Sequence, residues 1–221
     1  MKPFIGYFQI IQTGFTSFII QITTMFLLII HNQLFLHYGN ELYVSSFGVI
    51  RYGITVFRMI TMGFAGGAQP ILSYNFGANL IDRKNKIAKR GYYFTIGFAF
   101  IYMLIFYLFP AQIAKLFTHD PNLIEMTKNA IYLMMYALPF AAYNIFTATY
   151  FQSIGHTKKA VFITSSRVLL FVLPLAAILP NVLGVNGIYL IIPFSEIGAF
   201  FISLGVRIYH LKHIKRYFTL S

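Results

Sequence analysis

Four ionisable side chains fall inside long apolar runs of this chain: Arg51, Arg58, Arg167 and Glu196. A charge in hydrocarbon is costly, so such residues face a bundle interior or a wet cavity and mark paths for ions or polar cargo. At a helical rise of about 1.5 Å per residue, Arg167 lies roughly 10 Å inside the run that starts at Ala160, and Glu196 roughly 13 Å inside the run that starts at Gly187. Both therefore belong to the middle third of a bilayer whose core is about 30 Å thick. Arg58 is similarly deep, and Arg51 precedes it by seven residues on the same helical face. Two arrangements are open. Glu196 and Arg167, on consecutive antiparallel helices, can form an ion pair or polar network; alternatively, Glu196 stays protonated among polar neighbours such as Ser195 while Arg51 snorkels outward. With Asn144, which also lies in apolar surroundings, Arg58, Arg167 and Glu196 form the candidate substrate or ion pathway.

Other chemistries are poorly provided for. There is no G-x-S-x-G elbow, no H-E-x-x-H and no cysteine, and general acid and base pairs would want two buried carboxyls where this chain has one. No enzyme activity and no resident cofactor or metal is expected. His210 and His213 have i, i+3 spacing but no third ligand nearby. His31 reads equally as a packed histidine or a proton carrier. Gln9, Gln12, Thr16 and Thr23 place a polar stripe on one side of the first run, either a substrate path or interhelical glue.

The elements that must hold these residues follow from composition. Hydrophobic residues make up 58% of the 221 and charged residues 10%, against about 25% charged in an ordinary soluble domain. Six runs approach the roughly 20 apolar residues a span needs: Ile10–Leu36, Val44–Phe76, Tyr92–Phe109, Ala130–Phe151, Ala160–Leu179 and Gly187–Tyr209. Lipid offers the backbone no partners, so each run is expected to be helical, and none shows the alternation of a barrel strand. The predicted fold is all-α, a polytopic membrane bundle of six transmembrane helices occupying residues 1–221 as one domain.

The net charge of +12 invites a nucleic-acid reading, which the placement of the basic residues opposes. Lys2, the stretch Arg83 to Arg90, Lys158 with Lys159, and the tail from Arg207 to Arg216 occupy alternate connections. By the positive-inside rule these are cytoplasmic, which puts both termini inside a cell membrane crossed six times. The partner implied is the lipid bilayer, not nucleic acid.

Asp120-Pro121 supplies an N-cap acceptor before a proline at the first helical position, so a helix is expected to start there, and Gly155 is expected to end the fourth span. Pro70, Pro139, Pro174 and Pro193 are candidate kinks. Gly63 and Gly67, four apart, leave one face of the second span bare for close helix packing.

The segment Gly66-Gly67-Ala68-Gln69-Pro70-Ile71-Leu72-Ser73-Tyr74-Asn75-Phe76-Gly77-Ala78, followed by a basic loop, resembles the end of the second helix in the carboxy-terminal half of MATE (multidrug and toxic-compound extrusion) transporters. Phe117-Thr118 with Asp120-Pro121 is similar to that family's external F-T-x-D-P segment. Tyr150-Phe151-Gln152-Ser153-Ile154-Gly155 with Lys158-Lys159 is similar to its Y-F-Q-A-I-G-x-x-K turn. Arg167, Leu179-Pro180, Gly184 through Gly187 and Pro193 to Glu196 follow in the family's order. The family residues so marked are Gln69, Pro70, Tyr74, Asn75, Gly77, Gln152 and Gly155.

The resemblance implies the second lobe of a twelve-helix secondary antiporter that exports amphipathic, often cationic compounds against an inward flow of H+ or Na+. It implies as partner a first lobe, which this chain lacks, or a second copy. Some family members bind sodium through acids in the first and fourth helices of this lobe. Spans one and four here contain none, and the family's proton site would lie in the absent lobe. Other expectations are a lipid-linked sugar flippase of the same superfamily, for which a basic cavity is suited, and an accessory membrane subunit that transports nothing itself.

Overall fold

A computed structural model describes residues 25–218, with side chains through Lys212, and every regular element in that stretch is helical. The elements are α1 (Met25–Tyr38), α2 (Glu41–Gly77), α3 (Ile81–Leu108), α4 (Pro110–Lys115), α5 (Pro121–Met134), α6 (Leu138–Ser153), α7 (Thr157–Ser166) and α8 (Leu173–Phe218). A 3-10 turn, Met135–Ala137, joins α5 to α6, and a π turn, Arg167–Val172, joins α7 to α8. The polar stripe Gln9, Gln12, Thr16 and Thr23 and the first part of the run from Ile10 lie outside the described residues, as does the His213 side chain.

These pieces assemble into longer rods. Pro139 has no N–H to give the Met135 carbonyl four residues back, so the helix tightens there and α5 and α6 continue as one kinked rod. Within α8, Gly184 takes φ 58° and ψ −136°, and the chain reverses. Gly187 then lies so close to the Leu179 carbonyl that a Cβ would collide with it. The two arms run antiparallel, as Lys159 beside His210 and Arg167 beside Glu196 show. Among the described residues three stretches are long and apolar enough to cross a membrane, Ile81–Leu108, Pro121–Ser153 and Thr157–Lys212, and the last is folded at Gly184 into two arms. α2 is longer than a bilayer is thick and carries Arg51 and Arg58 along it.

Helix ends obey local chemistry. Asp120 accepts from the Asn122 N–H at 2.9 Å with Pro121 at the first position, as expected from the sequence. Asn40 caps α2 by accepting from the Leu42 and Tyr43 N–H groups. The α6 end closes with His156 N–H donating to the Phe151 carbonyl and Gly155 N–H to Gln152, with Gly155 at φ 77°. The α2 end repeats the motif with Asn79 at φ 56°, Leu80 N–H donating to Asn75 and Asn79 N–H to Phe76. Both are Schellman closures, one using glycine and the other asparagine in the left-handed position.

Two expectations change. The basic stretch Arg83 to Arg90, read as a loop, forms the first turns of α3, because its lysines and arginines are good helix formers and Lys84 sets its ammonium over the Phe76 and Tyr150 rings. Gly63 and Gly67 make no close helix packing within this bundle, since a Cβ at either would meet nothing within 4 Å. The buried residues of that part of α2 are Thr61 and Ala65, so the glycines between and beyond them point outward. Close approaches occur instead at Gly53 against Phe106, Gly91 against Phe146 and Gly198 against Phe171.

The interior divides into two apolar clusters. One gathers Phe35, Phe47, Ile50, Phe57, Met134, Met135, Leu138, Ala142, Val172 and Tyr189. The other gathers Ala65, Leu72, Tyr92, Tyr143, Phe146, Tyr150, Phe151 and Ile163. The outer surface is also apolar: Met59, Ile101, Leu108 and Val182 are all exposed. A water-soluble monomer rarely shows so much apolar surface, and lipid accounts for it.

Candidate functional site

In each rod the passage from one apolar cluster to the other is marked by a polar residue. Arg58 separates Phe57 from Ala65 on α2, Asn144 follows Ala142 and Tyr143 on α6, Arg167 lies between Ile163 and Val172, and Glu196 lies between Ile191 and Phe200 on α8. Helical spacing puts all four at one level, close to the midpoint of α2.

They meet at the Glu196 carboxyl, which is 2% exposed. Arg58 Nη2 donates to Glu196 Oε1 at 2.5 Å, and Arg167 Nη1 lies 3.4 Å from the same oxygen. Asn144 Nδ2 donates to Glu196 Oε2 at 3.1 Å and to the Glu196 backbone carbonyl at 3.0 Å. The Glu196 carbonyl can only accept and so fixes the orientation of the amide, whose Oδ1 accepts from Ser203 Oγ at 2.9 Å. The side-chain partners of the carboxyl are all donors, the pattern of a carboxylate and not of a protonated acid. Ser195, the neighbour a protonated Glu196 would have used, donates instead to the Ile192 carbonyl at 2.7 Å.

Local backbone features bring Arg167 into reach. The π turn begins at Arg167 itself, and π turns insert one residue into a helix and re-aim the side chains that follow. Phe171, within that turn, rests on the bare face of Gly198, two residues beyond Glu196. Without a side chain at Gly198 the strands of helix approach closely enough for guanidinium and carboxylate to pair. Neither the π turn nor the parts played by Gly198 and Ser203 was read from the sequence. The run Arg167–Val172 is uniformly apolar after its first residue and carries no mark of altered hydrogen bonding.

Two cavities adjoin the network, and Arg58 and Arg167 line both. The larger, about 200 Å³, extends along α2 toward its Glu41 end past Thr55, Arg51 and His31. The smaller, about 70 Å³, extends the other way and is lined by Asn144, Ala148, Thr164 and Glu196. Arg51 thus faces the same space as Arg58 and has no side-chain hydrogen bond or ion pair among the described residues. His31 is buried and stacked on Phe47 with ring centroids 5.3 Å apart. Its Nδ1–H donates to the Leu27 carbonyl at 2.7 Å, which leaves Nε2 as an acceptor without a partner among the described residues.

The residues marked by the family resemblance lie elsewhere, at one end of the bundle. Asn75 is buried and donates to the Ile71 carbonyl at 2.7 Å, Tyr74 and Gln152 are exposed, Gln69 is half-buried, Pro70 is inside α2 and Gly77 ends it. Ser73 Oγ donates to the Ser153 carbonyl at 2.9 Å and ties the α2–α3 turn to the α6–α7 turn. None of these residues is hydrogen-bonded to the charged layer among the described contacts. Among the described residues no group of three or more metal-ligand side chains gathers.

The MatE family model matches residues 15–178 of the chain. The chain belongs to the MatE family. It is 24% identical over 181 residues to the multidrug export protein MepA of Staphylococcus aureus, covering 81% of this chain and 39% of that protein. It is also 24% identical over 172 residues to an FAD transporter of Shewanella oneidensis, covering 76% and 36%. A multidrug resistance MATE family transporter of the MOP superfamily, solved in an outward-facing conformation, superposes with a TM-score of 0.78 at 19% identity, covering 87% of this chain and 44% of that one. The chain thus spans less than half the length of the relatives it matches, and the fold is that of one lobe of a MatE transporter.

Proposed function

We propose that the chain is one six-helix lobe of a secondary active exporter of MatE type, which carries amphipathic compounds across a cell membrane by alternating access, coupled to H+ or Na+. The observation that carries this reading is the charged layer with a cavity on each side. Arg58, Arg167 and Glu196 form a septum at mid-depth, reachable from one end through the larger space and from the other through the smaller. A rocking lobe exposes a midplane site to each side in turn, and irregular backbone such as the π turn is tolerated at that depth where it lines a cavity.

The same reading gives residues 1–221 six crossings with both termini cytoplasmic. It is supported by the α2–α3 turn, the α6–α7 turn and the far end of α8 lying together, with Lys84, His156, Lys159 and His210 as neighbours. The opposite end holds Tyr38, whose hydroxyl donates to Asn181 at 2.5 Å. A second six-helix lobe, from the same polypeptide, another one or a second copy, completes the cycle. The relatives named above are described as exporting several drugs and as carrying FAD, so the frame serves more than one cargo.

The test is ethidium retention in cells lacking their own efflux pumps, with the chain expressed alone or with a candidate first lobe. Dye loss in the paired case alone supports the reading. No dye loss in either, with the chain inserted in the membrane, favours an accessory subunit.

A further inference from the structure

The larger cavity has a charge balance that its wall does not satisfy. Arg51, Arg58 and Arg167 all line it, whereas Glu196 is the one carboxylate within the charged layer. Glu196 already engages Arg58 and Arg167, and Arg51 has no counter-ion among the described residues. An unpaired guanidinium facing a low-dielectric cavity is expensive unless something negative joins it. Guanidinium groups present planar sets of N–H donors matched to oxyanions.

We propose that this cavity binds an oxyanion, the phosphate or carboxylate head of an amphipathic molecule. Arg51 is the primary contact because no side chain among the described residues competes for it. Arg58 and Arg167 turn part of their donors from Glu196 to the ligand. His31 Nε2 accepts from a hydroxyl or a singly protonated phosphate oxygen. The apolar wall of Leu27, Leu28, Phe47, Ile54, Val172 and Ile192 takes the rest of an amphipathic molecule. That this molecule is carried across the membrane rests on the transport reading above, but the binding of the anion does not.

The purified chain in phosphatidylcholine nanodiscs is titrated with three dansyl probes that share one linker and end in a phosphate, a hydroxyl or a trimethylammonium group. The phosphate probe is expected to bind at least about tenfold more tightly than the other two, the scale of one charge-assisted hydrogen bond. Arg51→Gln is expected to weaken the phosphate probe about tenfold and leave the hydroxyl probe unchanged. Arg51→Lys recovers part of the loss, and both variants keep the parent's helicity and melting temperature. Adding phosphatidylglycerol separates the two sources of phosphate: competition means that a lipid headgroup occupies the site, and no competition means a soluble amphipath, with the anion site standing in either case. Equal binding of phosphate and hydroxyl probes, or a folded Arg51→Gln variant with unchanged phosphate affinity, overturns the proposal. Failure of ethidium export in the cell assay, with phosphate binding intact, removes the transport reading and leaves the anion site.

Discussion

At the middle of the bundle two arginines share one buried carboxylate, whereas at the Gly77 end of α2 four cations, Lys84, Lys89, Lys159 and Arg207, lie over aromatic rings with no carboxylate paired to them among the described residues. Arg207 Cζ lies 3.9 Å from the Tyr92 ring centroid, Lys159 Nζ lies 5.4 Å from that of Phe151, and Lys84 Nζ lies 5.6 Å from that of Tyr150. Lys159 also donates to His210 Nδ1 at 3.1 Å. Both places hold basic side chains, so the environment decides what accompanies them. Near a membrane surface a cation can face rings and the polar headgroup region, and its role is to anchor topology. At mid-depth it must be neutralised by a full opposite charge, and that charge then becomes something a ligand or a rocking motion can exchange.

The contrast can be broken most strongly at its centre. Glu196→Gln leaves Arg58 and Arg167 facing each other without compensation and is expected to cost about 3–5 kcal/mol, the usual penalty for removing one partner of a buried pair. Thermal unfolding in detergent measures the loss, and dye export is expected to disappear with it. Gly198→Ala tests whether the close approach positions Arg167: the added methyl displaces Phe171, at a cost of about 1–3 kcal/mol. A stability unchanged by that substitution detaches the π turn from the network.

At the other end, Arg207→Leu removes contacts to Tyr92 and Tyr143 but leaves no carboxylate orphaned, so a loss of only about 0.5–2 kcal/mol is expected. A loss as large as that of Glu196→Gln would erase the distinction between the two regions. The smallest effect concerns pH. Burial, with help from the charges of Lys159 and Lys84, pushes the His156 imidazole below its ordinary 6.5. The unfolded chain therefore binds a proton first, and the α6–α7 turn loses stability as pH falls below about 6.5. A lower protection factor at residues 154 to 160 at pH 5 than at pH 7, with the intrinsic exchange rate divided out, and a smaller difference in His156→Gln, are the expected signature.

Much of this arrangement was legible in the residues. Arg167 and Glu196 are marked as candidates by the apolar runs around them, because a charge stands out against such a background, and their order on consecutive helices leaves an ion pair as one of two open arrangements. The α5 start at Asp120-Pro121 and the α6 end at Gly155 were equally plain, since caps are written in local chemistry. Arg58 was placed in the pathway by depth, but nothing in the spacing said that it would be nearer to Glu196 than Arg167 is. That ranking depends on how α2 rotates in the bundle. The glycines show the same limit. Gly63 and Gly67 resemble a packing motif, and Gly198 resembles nothing, yet only Gly198 receives a neighbour's ring, because the face a glycine turns inward depends on tertiary contacts.

The central claim is that Arg58, Arg167, Asn144 and Glu196 act as one coupled layer. A double-mutant cycle between Arg58→Gln and Glu196→Gln, read by unfolding in detergent, tests it most directly. A coupling energy of about 2 kcal/mol or more is expected for charged partners in contact, whereas single-mutant effects that add to within about 0.5 kcal/mol would contradict it.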